Sequence, residues 1–304
     1  MLRSYRASFV FLLKENFFYK LDFYYSRPQL EVFRIVIAAF AIVNFGTMFL
    51  DYDVLLAPNG LISWEVTNAN SFWFEMHPQK IAEFLQVSPD VVMLTLSSIY
   101  GYSLVLLLLG IWPNVAAFVS LICYTMITDV ITPYAYGMDV YQSVFLFFLC
   151  FFPVGYGFSL IRKHPKENLK VVQQLSVRAL QIYLIITYLS AGFEKAVMSG
   201  WWNGKFIFFL VNDPTIVTSS LIPKDEGAWL YMFFGLTVIL AESLYFILIW
   251  IKGLRLWIFL AVISIHIFIA LFMDLFFFGV LLTLVNIVCW YPAILSDLKS
   301  FRKR

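Results

Sequence analysis

The sequence predicts an all-α fold, a polytopic membrane helix bundle, on three observations. Of the 304 residues, 62% are hydrophobic and only 13% are charged, a balance outside the range of soluble domains. The apolar residues gather into about eight runs, each close to the roughly 20 residues that cross a bilayer. The basic residues concentrate in alternate connections between these runs, as they do in membrane proteins. No nucleic-acid-binding pattern is present in the composition, so the expected partner is the lipid bilayer.

Charged residues and clusters of proline or glycine set the limits of the candidate membrane spans. The spans are predicted near residues 31–50, 91–111, 114–132, 140–160, 176–194, 228–251, 255–273 and 276–294. An even number of spans places both termini on the same side of the membrane. When that side is the cytoplasm, 17 of the 21 basic residues lie on the inner side, and the exceptions are Lys80, Lys195, Lys205 and Lys224. We therefore expect an integral, multi-pass membrane protein with its longer connections outside.

The regions that flank the spans have their own patterns. In residues 1–28, the apolar residues share one face of a helix and the basic residues lie opposite. This pattern predicts an amphipathic helix that lies on the membrane surface. No cleavage site for a signal peptide follows this segment. The sequence thus predicts an interfacial segment at 1–28, one membrane domain at 29–295 and a basic cytoplasmic tail at 296–304.

Glu242 and His266 are ionisable residues well inside predicted spans, where charge is costly and marks either a site or a structural pair. Glu242 lies in the sixth span, and a pairing with Arg178 or Arg34 is expected to offset its burial, with all three as structural polar groups. His266 lies in the seventh span. It is either satisfied by one interhelical hydrogen bond or serves as a proton relay or as a contact for a quinone or carbonyl. No spacing of cysteine and histidine indicates a metal site.

The stretch SAGFEKAVMSGWWNG, residues 190–204, places Glu194 and Lys195 at the outer end of the fifth span. A lysine at a helix end ordinarily reaches to water, and Trp201 and Trp202 favour the headgroup level. Lys195 could instead be a general base, if a dry surrounding favoured its neutral amine. Because neighbouring residues on a helix do not face each other, we expect Glu194 and Lys195 to have separate partners.

A second outer segment, ITPYAYGMDVY at residues 131–141, precedes the fourth span. Proline and glycine prevent a regular helix here, so a bent or re-entrant start to the span is expected. Asp139 is expected to cap the following helix. Tyr134, Tyr136 and Asp139, together with Trp201 and Trp202, form the set of candidate substrate-binding residues.

Several short elements, taken together, are similar to those of a known membrane family. They are Phe33-Arg34, Asn59-Gly60-Leu61, Tyr136-Gly137-Met138-Asp139, Pro153, Ser159, Arg178, Gln181, Tyr188, Ser190, Ala191, Gly192, Lys195, Trp201, Gly204, Glu242, His266 and Met273. The most specific is AGxxKxxxxxWxxG, which runs from Ala191 to Gly204. On these residues the chain, from about residue 30 to 294, resembles the HTTM (horizontally transferred transmembrane) domain family, the bacterial relatives of the vitamin K-dependent gamma-carboxylase membrane domain.

The resemblance implies a role for two residues and a class of cofactor. In the carboxylase, the lysine of this element looks like the base that deprotonates vitamin K hydroquinone. The deprotonated hydroquinone then reacts with oxygen and yields a base strong enough to remove a proton from a peptide glutamate. The resemblance therefore gives Lys195 the role of catalytic base and His266 a second catalytic role, with a quinone or vitamin K-like hydroquinone as cofactor. Thr132 stands where the carboxylase has a histidine, and the lumenal part that grips the peptide is not expected here.

Three functions follow as hypotheses. The first is a membrane-embedded, carboxylase-like or peptide-modifying enzyme in a bacterial cytoplasmic membrane, whose outer site acts on an exported peptide or a quinone-like substrate. The second is a non-catalytic helper in the maturation or export of a secreted antimicrobial or toxin peptide, with the peptide precursor and a maturation protein as partners. The third is a transporter, which the lack of a detectable internal repeat disfavours.

Overall fold

A computed structural model describes residues 26–71, 76–132, 134–164, 169–213 and 228–301. These residues form helices and connections without a strand, which confirms the predicted all-α membrane fold. The predicted surface helix at residues 1–28 lies almost wholly outside the described residues. The chain divides into two compact units, here called the N-terminal unit, residues 27–173, and the C-terminal unit, which continues from residue 174.

The described residues of the N-terminal unit form four long helices and three short ones. In chain order they are α1 (Ser26–Leu50), α2 (Tyr52–Leu55), α3 (Trp64–Asn70), α4 (Pro78–Leu85), α5 (Pro89–Leu109), α6 (Pro113–Val130) and α7 (Gly137–Phe151). Proline occupies the first turn of α4, α5 and α6, where its fixed φ suits a helix start. Gly110 ends α5 at a φ of 72°, so α5 and α6 form a tight hairpin.

The C-terminal unit is built from the remaining helices. They are α8 (Leu169–Val197), whose first residues belong to the N-terminal unit, α9 (Ser199–Trp202), α10 (Lys205–Asn212), α11 (Ala228–Leu248), α12 (Arg255–Phe272) and α13 (Phe276–Phe301). The last helix continues through most of the segment predicted as a tail.

Seven of the described helices are long and apolar enough to cross a membrane, and each overlaps a predicted span. The fourth span, predicted at 140–160, is different, because its helix α7 has 15 residues and stops at Phe151. Phe152 is extended, as a residue before proline prefers, and Pro153 cannot continue the helix. A helix of that length covers only about 22 Å of a hydrocarbon layer about 30 Å thick. Residues 152–164 continue as irregular backbone.

The irregular backbone after α7 is satisfied by a buried carboxylate on α1. Glu31 is fully buried, and its Oε1 accepts hydrogen bonds from the backbone N–H groups of Gly155, Tyr156 and Gly157 at 2.7–3.0 Å. Non-helical backbone at membrane depth requires such internal partners, since hydrocarbon offers none. The carboxylate therefore replaces the helical hydrogen bonds that Pro153 interrupts.

Arg34 neutralises this carboxylate and is itself fully buried. Its Nε lies 3.1 Å from Glu31 Oε2, and its terminal nitrogens donate to the carbonyl groups of Leu107, Leu108 and Phe158. Arg34 thus joins α1, the end of α5 and the irregular segment. Its predicted pairing with Glu242 is wrong, because Glu31, one helical turn away, is its partner.

A second connection holds the end of α7 to the start of α6. The side-chain amide of Asn114 donates to the carbonyl groups of Leu149, Cys150 and Phe152 at 2.8–3.2 Å, and its oxygen accepts from Lys163 Nζ at 2.6 Å. Carbonyl groups at a helix end have no partner within the helix, and Asn114 supplies one.

The described part of the connection between α1 and α5 contains a buried histidine. His77 is fully buried, with its Nε2 3.0 Å from the Thr67 hydroxyl and its Nδ1 accepting from the Gln79 backbone N–H. Burial and the nearby Lys80 charge lower the pKa of His77 to about 4. The imidazole is therefore neutral at pH 7 and caps α4.

Removal of one member of the Glu31–Arg34 pair should destabilise the N-terminal unit strongly. We expect Arg34→Met or Glu31→Gln to lower the free energy of unfolding by about 3 kcal/mol or more, because each leaves buried polar groups without partners. Thermal unfolding of the purified protein in detergent measures the effect. Asp53→Asn, at an exposed acidic position, is the control and should have little effect. Equal melting temperatures for Arg34→Met and the control would contradict this role.

Acidification should destabilise the segment around His77. Its folded pKa lies below the unfolded value of about 6.5, so the unfolded chain binds more protons and stability is lost as pH falls from about 6.5 towards 4. Between pH 7 and pH 5 we expect the wild type to lose about 1 to 2 kcal/mol more than His77→Gln. Unfolding measured at both pH values tests this, and equal losses in the two proteins would exclude His77 as the titrating group.

Candidate functional site

Lys195 lies in the last turn of α8 and is held by three groups. Its Nζ is 2.7 Å from Glu242 Oε2, 3.4 Å from the Ala191 carbonyl oxygen and 5.4 Å from the centre of the Trp201 ring. The Lys195 side chain is 22% exposed, whereas that of Glu242 is 8% exposed. This partly accessible ion pair, with a nearly buried carboxylate, is the centre of the candidate site.

The partner of Glu242 is therefore Lys195, and the predicted pairing with Arg178 or Arg34 is wrong. Arg178 donates to Gln181 Oε1 at 2.7 Å and lies over the Trp250 ring, at 5.2 Å from its centre. Arg34 belongs to the N-terminal unit. As expected, Lys195 and Glu194 have separate partners, since the hydroxyl of Ser190 donates to Glu194 at 3.5 Å.

A close approach of two helices explains why Lys195 meets Glu242. A Cβ atom on Gly192 would lie 2.5 Å from the Ser243 hydroxyl oxygen and 2.6 Å from the Ser243 backbone nitrogen. Only glycine allows α8 and α11 to cross at this distance. Lys195 follows Gly192 by one turn and Glu242 precedes Ser243 by one residue, so the crossing brings the two side chains together.

The rest of the AGxxKxxxxxWxxG element also lies along α11. Trp201 is buried, stacks on Phe206 with ring centres 4.5 Å apart, and its carbonyl oxygen approaches Gly235 so closely that a Cβ there would lie at 2.3 Å. Gly204 has a φ of 75°, and a Cβ on it would lie 2.4 Å from the Met232 nitrogen. The spacing of this element therefore matches successive contacts with one helix.

Trp202, the other tryptophan of the pair, lies on the surface of the protein. It is 47% exposed, and its indole Nε1 donates to the Ala196 carbonyl at 2.7 Å. The two adjacent tryptophans therefore differ, since Trp201 lies beneath the Lys195 ammonium while Trp202 is available to a ligand or to lipid.

His266 ends a chain of buried hydrogen bonds that joins four helices. Tyr245 donates to Asn286 Oδ1 at 2.8 Å, Asn286 Nδ2 donates to the Tyr188 hydroxyl at 2.5 Å, and that hydroxyl lies 2.9 Å from His266 Nε2. The direction of the Tyr188–His266 bond depends on the tautomer of the imidazole. In the tautomer in which Tyr188 donates to Nε2, the neutral imidazole carries its proton on Nδ1.

His266 Nδ1 is buried and has no hydrogen-bond partner among the described residues. A buried N–H without a partner is costly, so it is available to an oxygen of a ligand. The expected interhelical hydrogen bond exists, and it occupies one of the two ring nitrogens.

The Lys195–Glu242 pair and His266 occupy one end of the C-terminal unit. Tyr188 of α8 contacts His266 of α12. Lys195 follows Tyr188 by seven residues and Met273 follows His266 by seven, so each lies about 10 Å further along the chain at the helical rise. Lys195 is therefore level with the turn between α12 and α13.

The other candidate residues belong to the N-terminal unit. Asp139 is buried, and its carboxylate accepts from the Tyr124 hydroxyl at 2.5 Å and from the Tyr136 backbone N–H at 2.9 Å. Asp139 therefore contributes to the cap of α7 from within the first turn, through the backbone N–H of the N-cap residue Tyr136 and not through the first-turn N–H groups. Burial and the negative charge of Asp139 raise the pKa of Tyr136 to about 12. Tyr134 is 42% exposed.

In the part of the chain that the structure describes, no group of three or more His, Cys, Asp or Glu side chains is arranged to hold a metal ion. Comparison with protein-family models, with curated proteins and with solved structures finds no match for the chain.

Asn286 was not identified as a functional residue from the sequence. An asparagine in an apolar span is a signal in itself, because its amide needs partners in hydrocarbon. Its position four residues after Leu282, whose carbonyl it also contacts at 2.8 Å, places it on the buried face of α13.

Loss of Asn286 should destabilise the hydrogen-bond chain that orients His266. We expect Asn286→Leu to lower the free energy of unfolding by about 1 to 2 kcal/mol, because Tyr188 and Tyr245 lose their common partner. Thr283→Val, on the same helix, is the matched control, since its hydroxyl has no partner among the described residues. Thermal unfolding in detergent compares the two, and an equal effect would show that the chain contributes no stability.

Proposed function

We propose that this chain is an HTTM-type membrane enzyme whose C-terminal unit transfers a proton from a quinone-like substrate or an exported peptide. The observation that carries the proposal is the Lys195–Glu242 ion pair, which is partly exposed and belongs to the same unit as the buried imidazole of His266. Ionisable groups within apolar helices are expensive, and such a cluster is more easily explained by chemistry than by stability. The bacterial cytoplasmic membrane is the location that we propose with it.

The residues of the cluster fit a hydroquinone. The unpartnered Nδ1–H of His266 can donate to a carbonyl or phenolic oxygen. Lys195 provides a positive charge for an oxyanion, and the aromatic rings of Trp201 and Phe206 lie beside it. A hydroquinone supplies an ionisable O–H group when bound. In such a site Lys195 and Glu242 hold or accept the proton, and His266 orients the oxygen.

A non-catalytic helper in peptide maturation is the second candidate, and one observation favours it. Val197, Met198 and Trp202 expose apolar surface in the segment directly after Lys195, with 80%, 54% and 47% of each residue accessible. An exposed apolar strip beside a charged pair also fits a secreted peptide precursor or a maturation protein. This function would need the surface and not the proton transfer.

Binding of 1,4-naphthohydroquinone tests the enzymatic proposal. With the protein in lipid nanodiscs under anaerobic conditions, quenching of tryptophan fluorescence reports the affinity. We expect Lys195→Met to weaken binding by about tenfold or more, since the charged partner of the oxygen is lost. Lys205→Met removes an exposed lysine ten residues away and should bind as the wild type does.

Two results would count against the enzyme. A wild-type protein that binds no naphthohydroquinone would leave the peptide helper as the better proposal. Equal affinity in Lys195→Met and Lys205→Met would show that Lys195 does not form part of a hydroquinone site.

A further inference from the structure

The surroundings of Lys195 raise the question of which member of the ion pair accepts a proton. Its Nζ contacts a carboxylate oxygen, a carbonyl oxygen in the last turns of α8 and the face of an indole ring. Each of these groups stabilises a positive charge, by Coulomb attraction, by the helix dipole and by the ring quadrupole respectively. All three favour the ammonium over the neutral amine that a general base requires.

Glu242 has the complementary property. It is an anion on an apolar helix, 6% exposed as a residue, and its Oε2 accepts a charge-assisted hydrogen bond from Lys195. Burial disfavours a carboxylate, and Glu194 of α8 is close enough for its negative charge to act on it. Within the pair, the site that can gain a proton is therefore the carboxylate.

We infer that Glu242 is the proton acceptor of the site, and that Lys195 remains an ammonium and stabilises the anion that forms. This assignment rests on the proposed function and reverses the role that the resemblance gives to Lys195. The substrate O–H bond breaks, its proton forms an O–H bond with Glu242, and its electron pair stays on the substrate oxygen. The ammonium of Lys195 then exchanges the neutralised carboxyl group for the new oxyanion as its partner. No electron is transferred in this step.

The net charge of the site supports this assignment. Before the step, the pair is neutral overall, with one ammonium and one carboxylate. After it, one ammonium and one substrate oxyanion remain beside a neutral carboxyl group, so no net charge is added to the apolar surroundings. A neutral Lys195 would instead have to pass its proton to Glu242 first, against all three of its contacts.

Chemical labelling tests the charge of Lys195 without any substrate. Acetic anhydride acylates neutral amines, and mass spectrometry gives the rate at each lysine of the intact protein in nanodiscs. At neutral pH we expect Lys195 to react about tenfold or more slowly than the exposed Lys205, and Glu242→Gln to accelerate it by about tenfold. Glu194→Gln, which removes a neighbouring exposed carboxylate, should change the rate little.

These labelling results can overturn the assignment directly. A wild-type Lys195 that reacts as fast as Lys205, or faster, is not held as an ammonium more firmly than an ordinary exposed lysine. A Lys195 that reacts no faster in Glu242→Gln than in the wild type is not held as an ammonium by Glu242. Either result removes the inference, whatever the substrate of the protein.

The second arm measures proton transfer itself. Added anaerobically, 1,4-naphthohydroquinone shifts its absorbance to longer wavelength when it becomes an anion. We expect the wild type and Lys195→Arg to form the anion and Glu242→Gln to form about tenfold less, because a guanidinium supplies charge but cannot accept a proton. Loss of the anion in Lys195→Arg with retention in Glu242→Gln would overturn the assignment. If the wild type forms no anion, the proposed function and the acceptor role fail together, while the labelling result still decides the charge of Lys195.

Discussion

The buried Glu31–Arg34 pair is the interaction on which the N-terminal unit depends. Glu31 and Arg34 are both fully buried, and the loss of their hydration would cost more free energy than their attraction for each other returns. Here the carboxylate also accepts three backbone N–H groups, and the guanidinium donates to three backbone carbonyl groups. The pair therefore provides to an interrupted segment the hydrogen bonds that a helix would have formed internally.

This constraint explains why α7 can be short. Pro153 ends its hydrogen bonding, and the chain continues through Gly155 and Gly157 because Glu31 meets their N–H groups. A Cβ on Gly157 would lie 2.8 Å from the Glu31 side chain, so the carboxylate fits against bare backbone. Asn114 binds the carbonyl groups at the end of α7. Glu31 thus satisfies N–H groups of the interrupted segment, and Asn114 satisfies carbonyl groups before it.

The sequence was sufficient to predict the fold class and the positions of most spans, because apolar runs and charge asymmetry are local properties. It did not predict the partners of buried charges, because pairing depends on which helices meet. Glu242 was recognised as costly and Arg34 was named as one of its possible partners, yet each residue has a partner that the predictions did not name. The end of α7 was also misplaced, although Pro153 was the available signal. The Lys195–Glu242 contact follows from the Gly192–Ser243 crossing, a tertiary feature, and so does the role of Asn286.

The Glu31–Arg34 and Lys195–Glu242 ion pairs differ in what an apolar replacement would lose. Without Glu31 and Arg34, backbone groups of the interrupted segment would have no partners, so no pair of apolar side chains could replace them. Lys195 and Glu242 chiefly satisfy each other, and α8 and α11 are already held together at Gly192, Trp201 and Gly204. Buried pairs of this second kind can often be exchanged for apolar residues without loss of stability. The fold thus has little need of charge at Lys195 and Glu242, and the proposed proton transfer is what would require it.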